Sequence, residues 1–155
     1  VIGQIYTMYV NPILFKHHSK DRSGTYVLFK NYIKVLVYFF IFVLCIVPML
    51  PLNFFTIIIE KSVIYNPIYY YTFILLVFSV CLAVLQNALS FYFTLEKKLI
   101  FTTYAYAIAF VINIFGNFYI VEYGIIAAAI STLTAYIAMN FSLIYFMRRV
   151  VRHAS

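Results

Sequence analysis

Charged residues divide this chain into long apolar runs. No Asp, Glu, Lys or Arg occurs within 35–59, 62–95, 99–121 or 123–147. Each run exceeds the about 20 residues a helix needs to cross a hydrocarbon core of roughly 30 Å. A helix at a water-facing surface shows a polar face, and none of these runs has one. A fifth apolar stretch, 1–15, lacks a basic segment before it and runs straight into Lys16, unlike a signal peptide. The pattern predicts an all-α, polytopic transmembrane bundle of one partial and four full helices. Approximate bounds are 1–15, 32–55, 67–94, 99–121 and 124–147, with a cytoplasmic loop at 16–31 and a tail at 148–155. Because the chain opens with Val1 in mid-helix, it reads as the C-terminal part of a longer protein.

Particular residues mark the ends. Pro48 and Pro51 are expected to kink or stop the first full helix. Asn66-Pro67 is a natural start for the next, since proline suits the first helical position.

Composition removes other classes. Hydrophobic residues make up 66% of the chain and charged ones 10%, against about 25% charged in soluble domains. The net charge of +7 does not signal nucleic acid, because the positives sit between the apolar runs. Their placement orients the chain instead. Lys16, Lys20, Arg22, Lys30 and Lys34 outweigh Asp21, Glu60 balances Lys61, Lys97 and Lys98 outweigh Glu96, Glu122 stands alone, and the end carries Arg148, Arg149 and Arg152. Positive excess alternates, and short loops rich in Lys and Arg stay cytoplasmic. The basic loop, the 96–98 turn and the C-terminus are therefore expected inside. Tyr65, Tyr69, Tyr70 and Tyr71 would form an outer aromatic belt, and Tyr26, Tyr32 and Tyr145 an inner one. Lys30 and Lys34 lie one turn apart and can snorkel to headgroups.

Polar residues inside the runs are the candidate chemistry. The last helix has a seam of Gly124, Ala128, Ser131, Ala135, Ala138 and Ser142, at alternating steps of four and three. Small side chains let helix backbones approach closely in lipid, so this is a packing seam or a cavity wall. Gln86 and Asn87 on one helix, and Asn113 and Asn117 on the next, are amides whose donors and acceptors would go unmet against hydrocarbon, at several kcal/mol. They should turn inward, as interhelical glue or as cavity lining. The run 35–55 has no polar stripe and is expected to be the most lipid-exposed full helix.

Catalytic and metal chemistry find no footing in these runs. None holds Asp, Glu, His, Lys or Arg for acid–base work. Cys45 and Cys81 read as small packing residues, no Cys/His grouping has metal spacing, and no cofactor motif occurs.

The stretch 113–136 adds a resemblance. It reads Asn-Ile-Phe-Gly-Asn-Phe-Tyr-Ile-Val-Glu-Tyr-Gly-Ile-Ile-Ala-Ala-Ala-Ile-Ser-Thr-Leu-Thr-Ala-Tyr. This resembles the junction before the last helix of polysaccharide exporters of the O-antigen flippase type, within the multidrug/oligosaccharidyl-lipid/polysaccharide exporter superfamily. Asn113, Asn117, Tyr123, Gly124, Ala128, Ala129 and Thr132 carry the likeness, while Ala127 stands where that family commonly has glycine. Asn11-Pro12, Phe15-Lys16 and the Glu96-Lys97-Lys98 turn suit it more loosely. The resemblance implies the second lobe of a two-lobe, alternating-access transporter in a bacterial inner membrane. It would flip an undecaprenyl-pyrophosphate-linked oligosaccharide for surface polysaccharide such as lipopolysaccharide O-antigen, without enzymatic activity. Implied partners are the bilayer, the lipid-linked substrate and polysaccharide polymerase or assembly proteins. The alternatives are a cation-coupled multidrug exporter of the same superfamily, which generally relies on intramembrane carboxylates, and a membrane-embedded polysaccharide polymerase, which needs a sizeable outer domain.

Overall fold

The computed structural model describes residues 2–55 and 65–152. The central part of the expected outer loop, with Glu60 and Lys61, and the last three residues lie outside the described residues. Those described form helices joined by short turns, with no strand among them. Helix α1 spans Ile2–His18 and α2 spans Arg22–Ile46. A 3-10 turn at Val47–Met49 and a one-turn helix α3, Leu52–Phe55, follow. Then come α4 (Pro67–Leu95), α5 (Ile100–Asn117), the short α6 (Ile120–Tyr123) and α7 (Ile125–Arg152). Four segments are long and apolar enough to cross a membrane: Gly24–Met49, Pro67–Leu95, Ile100–Asn117 and Ile125–Val151.

Local chemistry accounts for the ends. Asn66 holds an extended backbone and its Oδ1 accepts from the Ile68 amide at 3.0 Å, with Pro67 next, so α4 starts where the Asn-Pro pair predicts. Before Pro51, Leu50 is forced extended, which stops the chain after the 3-10 turn that contains Pro48. The other end of α2 departs from expectation. It begins at Arg22 rather than near residue 32, so most of the expected loop is helix. Asp21 is the reason: its backbone is extended and its Oδ1 caps the Gly24 amide at 3.0 Å. Gly24 leaves room for this cap, because a Cβ would lie 2.2 Å from Asp21 Oδ2 and the carboxylate would have to turn.

At the end of α4, the Lys98 amide donates to Phe93 O at 2.9 Å and the Lys97 amide to Thr94 O at 3.2 Å. This is the Schellman pattern, and it places Lys97 at φ 54° where glycine is usual.

Helix α7 is the hub. Both α4 and α5 pack along it, α4 and α5 scarcely touch each other, and α2 leans on α4 with α1 beside it. The buried row on α7 runs through Ser131, Ala135, Met139, Leu143 and Val150. The expected seam is therefore only partly the packing line. Ser131 and Ala135 are buried, whereas Ala128, Ala138 and Ser142 are half-buried at its edge. Gly124 is not in it. It sits exposed between α6 and α7 at φ 65°, ψ −151°, a conformation essentially confined to glycine, with nothing within 4 Å of a built Cβ.

Two further expectations change. The most exposed span is α5, not 35–55: Ala105 is the buried residue on α5, while α2 buries Phe29, Tyr32, Leu36 and Phe40. A helix of large apolar side chains can interlock as well as face lipid, so lack of a polar stripe does not fix its neighbours. Tyr32 also leaves the aromatic belt. It is buried, and its hydroxyl donates to Thr7 Oγ1 at 3.1 Å.

The basic segments gather at one end of the bundle. Arg22 there forms a two-pronged ion pair with Glu96, linking the start of α2 to the turn after α4. Glu96, through hydrogen bonding and charge, raises Arg22 above the ordinary guanidinium value, so the pair stays ionised. Solvent around Arg22 limits its worth to about 1 kcal/mol or less. Beside it, Tyr92 packs against Phe29 and Tyr26 with ring centroids 5.3 and 6.3 Å apart.

Candidate functional site

Within the bundle, uncharged polar groups converge between α4, α5 and α7. On α4, Gln86 is buried because its position faces the hub helix. Its Nε2 donates to the Tyr106 hydroxyl on α5 and to Ser90 Oγ at 3.3 Å. One and a half to two turns further along α5, Asn113 meets α7. Ser131 Oγ donates toward both the backbone oxygen and Oδ1 of Asn113, each at 3.2 Å. This contact depends on Gly116, which leaves the space that Ser131 fills. Gln86, Tyr106, Asn113, Thr132 and Tyr136 line a cleft of about 240 Å³, floored by Ala109, Ala135 and Met139.

Of the four candidate amides, the fold brings Gln86 and Asn113 together in this cleft. Asn87 and Asn117 are exposed on the outside of the helix set and do not join it. Asn117 follows Asn113 by four residues but is the exposed final residue of α5.

A fifth amide was not singled out from the sequence. Asn140 is buried on α7, and its Nδ2 donates to Leu82 O across on α4 at 3.0 Å and to Tyr136 O at 2.8 Å. Its Oδ1 is buried without a hydrogen-bond partner. Asn140 is likewise an amide in an apolar run, the same signal that marks Asn113, but it stands between the seam positions Ala138 and Ser142.

The cleft has hydroxyls, amides and two tyrosine rings but no fixed charge. Such a wall can hydrogen-bond and stack against a polar, uncharged molecule, and it offers no nucleophile–base pair. Among the described residues no grouping of three or more His, Cys, Asp or Glu could hold a metal ion, and Cys45 and Cys81 are free thiols, the first exposed and the second buried.

The two outcomes for the amides are separable. Asn113→Leu is expected to lose about 1 kcal/mol, the scale of an interhelical hydrogen bond in a membrane, and to lower the thermal midpoint in detergent by a few degrees. Asn117→Leu should leave the midpoint unchanged. Equal shifts for the two variants would refute the placement of Asn113 at the α5–α7 contact.

Comparison of the chain with protein-family models, with curated proteins and with solved structures gives no match.

Proposed function

We propose that this chain is part of a membrane exporter that moves a lipid-linked oligosaccharide across a bacterial inner membrane, of the O-antigen flippase type. In this reading the described helices belong to one lobe of a two-lobe transporter, which acts without covalent chemistry. The basic end faces the cytoplasm, as the distribution of Lys and Arg favours, and the C-terminus lies on that side.

One observation carries the reading. Asn113 and Thr132, both in the stretch that resembles such exporters, line the same uncharged cleft as Gln86, Tyr106 and Tyr136. A sugar chain presents many hydroxyls and flat apolar faces. Amides and hydroxyls meet the former, and tyrosine rings the latter. A wall of fixed charges would hold water tightly and resist exchange with an uncharged glycan. The lipid part of the substrate needs no pocket, because the outer faces of these helices already present apolar side chains to the bilayer.

The test is deletion of the intact gene in its own host. Surface polysaccharide should be lost while lipid-linked repeat units build up on the inner leaflet. Normal surface polysaccharide in the deletion strain would defeat the proposal. Normal flipping with defective chain lengthening would point to the polymerase.

A further inference from the structure

A second cleft, of about 470 Å³, opens between α2, α4 and α7, and its lining has a different character. It carries three cations, Lys30 and Lys34 from α2 and Arg148 from α7, over apolar walls that include Val37, Leu85 and Ile144. All three cations are exposed, while the apolar residues are half-buried. Lys30 and Lys34 share one face of α2 about a turn apart, about 6 Å along the axis. Val37 continues that face away from the basic end, and Ile144 lies one turn before Arg148 on α7. The cleft is thus cationic toward the end of the bundle and hydrocarbon-like toward its middle.

None of the three cations has an ion pair or hydrogen bond among the described residues. The nearby carboxylates are engaged elsewhere: Glu96 holds Arg22, and Asp21 caps α2. Three like charges lining one cleft repel one another unless an anion joins them. Arg148 offers a planar fork suited to two phosphate oxygens, and the lysines add mobile point charges. Tyr26 and Tyr38 also line the cleft. A small soluble anion would satisfy the cations and leave the apolar wall unused. A neutral lipid would do the reverse.

We propose that this cleft binds a phosphate headgroup carried on a long hydrocarbon, with the phosphate on Lys30, Lys34 and Arg148 and the chain along Val37, Leu85 and Ile144. The same chemistry belongs to an anionic phospholipid of the bilayer and to a polyprenyl phosphate carrier. The site stands on its own geometry and does not rest on the export reading.

Native mass spectrometry of the full chain, released from detergent, tests it with four probes: phosphatidylglycerol, polyprenyl monophosphate, phosphatidylcholine and inorganic phosphate. One molecule of phosphatidylglycerol or of polyprenyl monophosphate should be retained, in clear preference to phosphatidylcholine and inorganic phosphate. Comparable retention of the two anionic lipids identifies a general lipid site, and a strong preference for the polyprenyl probe identifies a carrier site; both support the proposal. In the triple variant Lys30→Gln, Lys34→Gln, Arg148→Gln, binding should weaken about a hundredfold, each cation near a headgroup contributing about a factor of five. Leu85→Trp, which fills the apolar wall and keeps the cations, should also lose the lipids. Equal retention of phosphatidylcholine, or undiminished anionic-lipid binding by the triple variant, would overturn the site. No arm reads export, so failure here leaves the proposed function where it stood, and a failed deletion test leaves this site untouched.

Discussion

Replacing Gly116 with valine should pry α5 from α7 and cost the fold about 3 kcal/mol, at the upper end of ordinary overpacking. A Cβ at this position would stand 2.2 Å from Ser131 Oγ and 2.5 Å from Ser131 Cβ, closer than real atoms approach. Ser131 cannot swing aside cheaply. It is 5% exposed, and its hydroxyl is occupied by Asn113 on the same helix as the glycine. The strain therefore falls on the backbones along the face of α5 that packs on α7, its principal hold. The measurement is thermal unfolding in detergent. Ser131→Gly removes both offending atoms, so Gly116→Ala should be markedly less damaging in its presence, a non-additivity expected only of touching residues. Additive effects of Gly116→Ala and Ser131→Gly would show that the two do not meet.

Phe29→Ala should loosen α1 and α2 from the other helices at a cost of about 2–3 kcal/mol. Phe29 is 1% exposed and packs against Tyr92 on α4 and Tyr32 on its own helix. In water such a truncation costs about 3–5 kcal/mol, transfer and cavity terms together. Lipid is as apolar as the side chain, so within a bilayer most of the transfer term lapses and lost packing remains. The chain has 16 tyrosines and no tryptophan, which makes near-ultraviolet dichroism a report on tyrosine packing. That signal should melt earlier in the variant while far-ultraviolet helicity persists. Phe42→Ala is the control: Phe42 is on the same helix but 61% exposed, and its loss should change nothing. If both variants melted alike, the Phe29–Tyr92 contact would not be what holds α2 in place.

The elements were legible because charge and proline punctuate this sequence strongly. Each charge-free run falls on a different long helix, though α2 and α7 extend into the charged flanks, and Asn66-Pro67 and Pro48 act where they are written. The sides of those helices were much less legible, for a physical reason. In a soluble protein the apolar stripe points to the core, but in lipid both the core face and the outer face are apolar. Nothing in the run 35–55 distinguishes Phe40, which is buried, from Phe42, which is not. The start of α2 was hidden by Arg22 and Lys30, which read as loop cations although they sit on a continuous helix. Of the amides, Gln86 and Asn113 lie where the cost of unmet hydrogen bonds would send them. Asn87 and Asn117 lie on the outside, so that cost alone did not fix their direction. Gly124 shows a different ambiguity: a small residue serves a seam or a turn equally well, and only the backbone angle separates them.

Asn140 also sets how the assembly can move. Its amide bridges one carbonyl on each of two helices, and a slide of a single residue, about 1.5 Å, would break the bridge to Leu82. The bond adds about 0.6–1.7 kcal/mol to the broad contact around it, so α4 and α7 favour a single register and travel as one rigid body. Pivoting must then occur at the looser boundary, where α1 and α2 border α4.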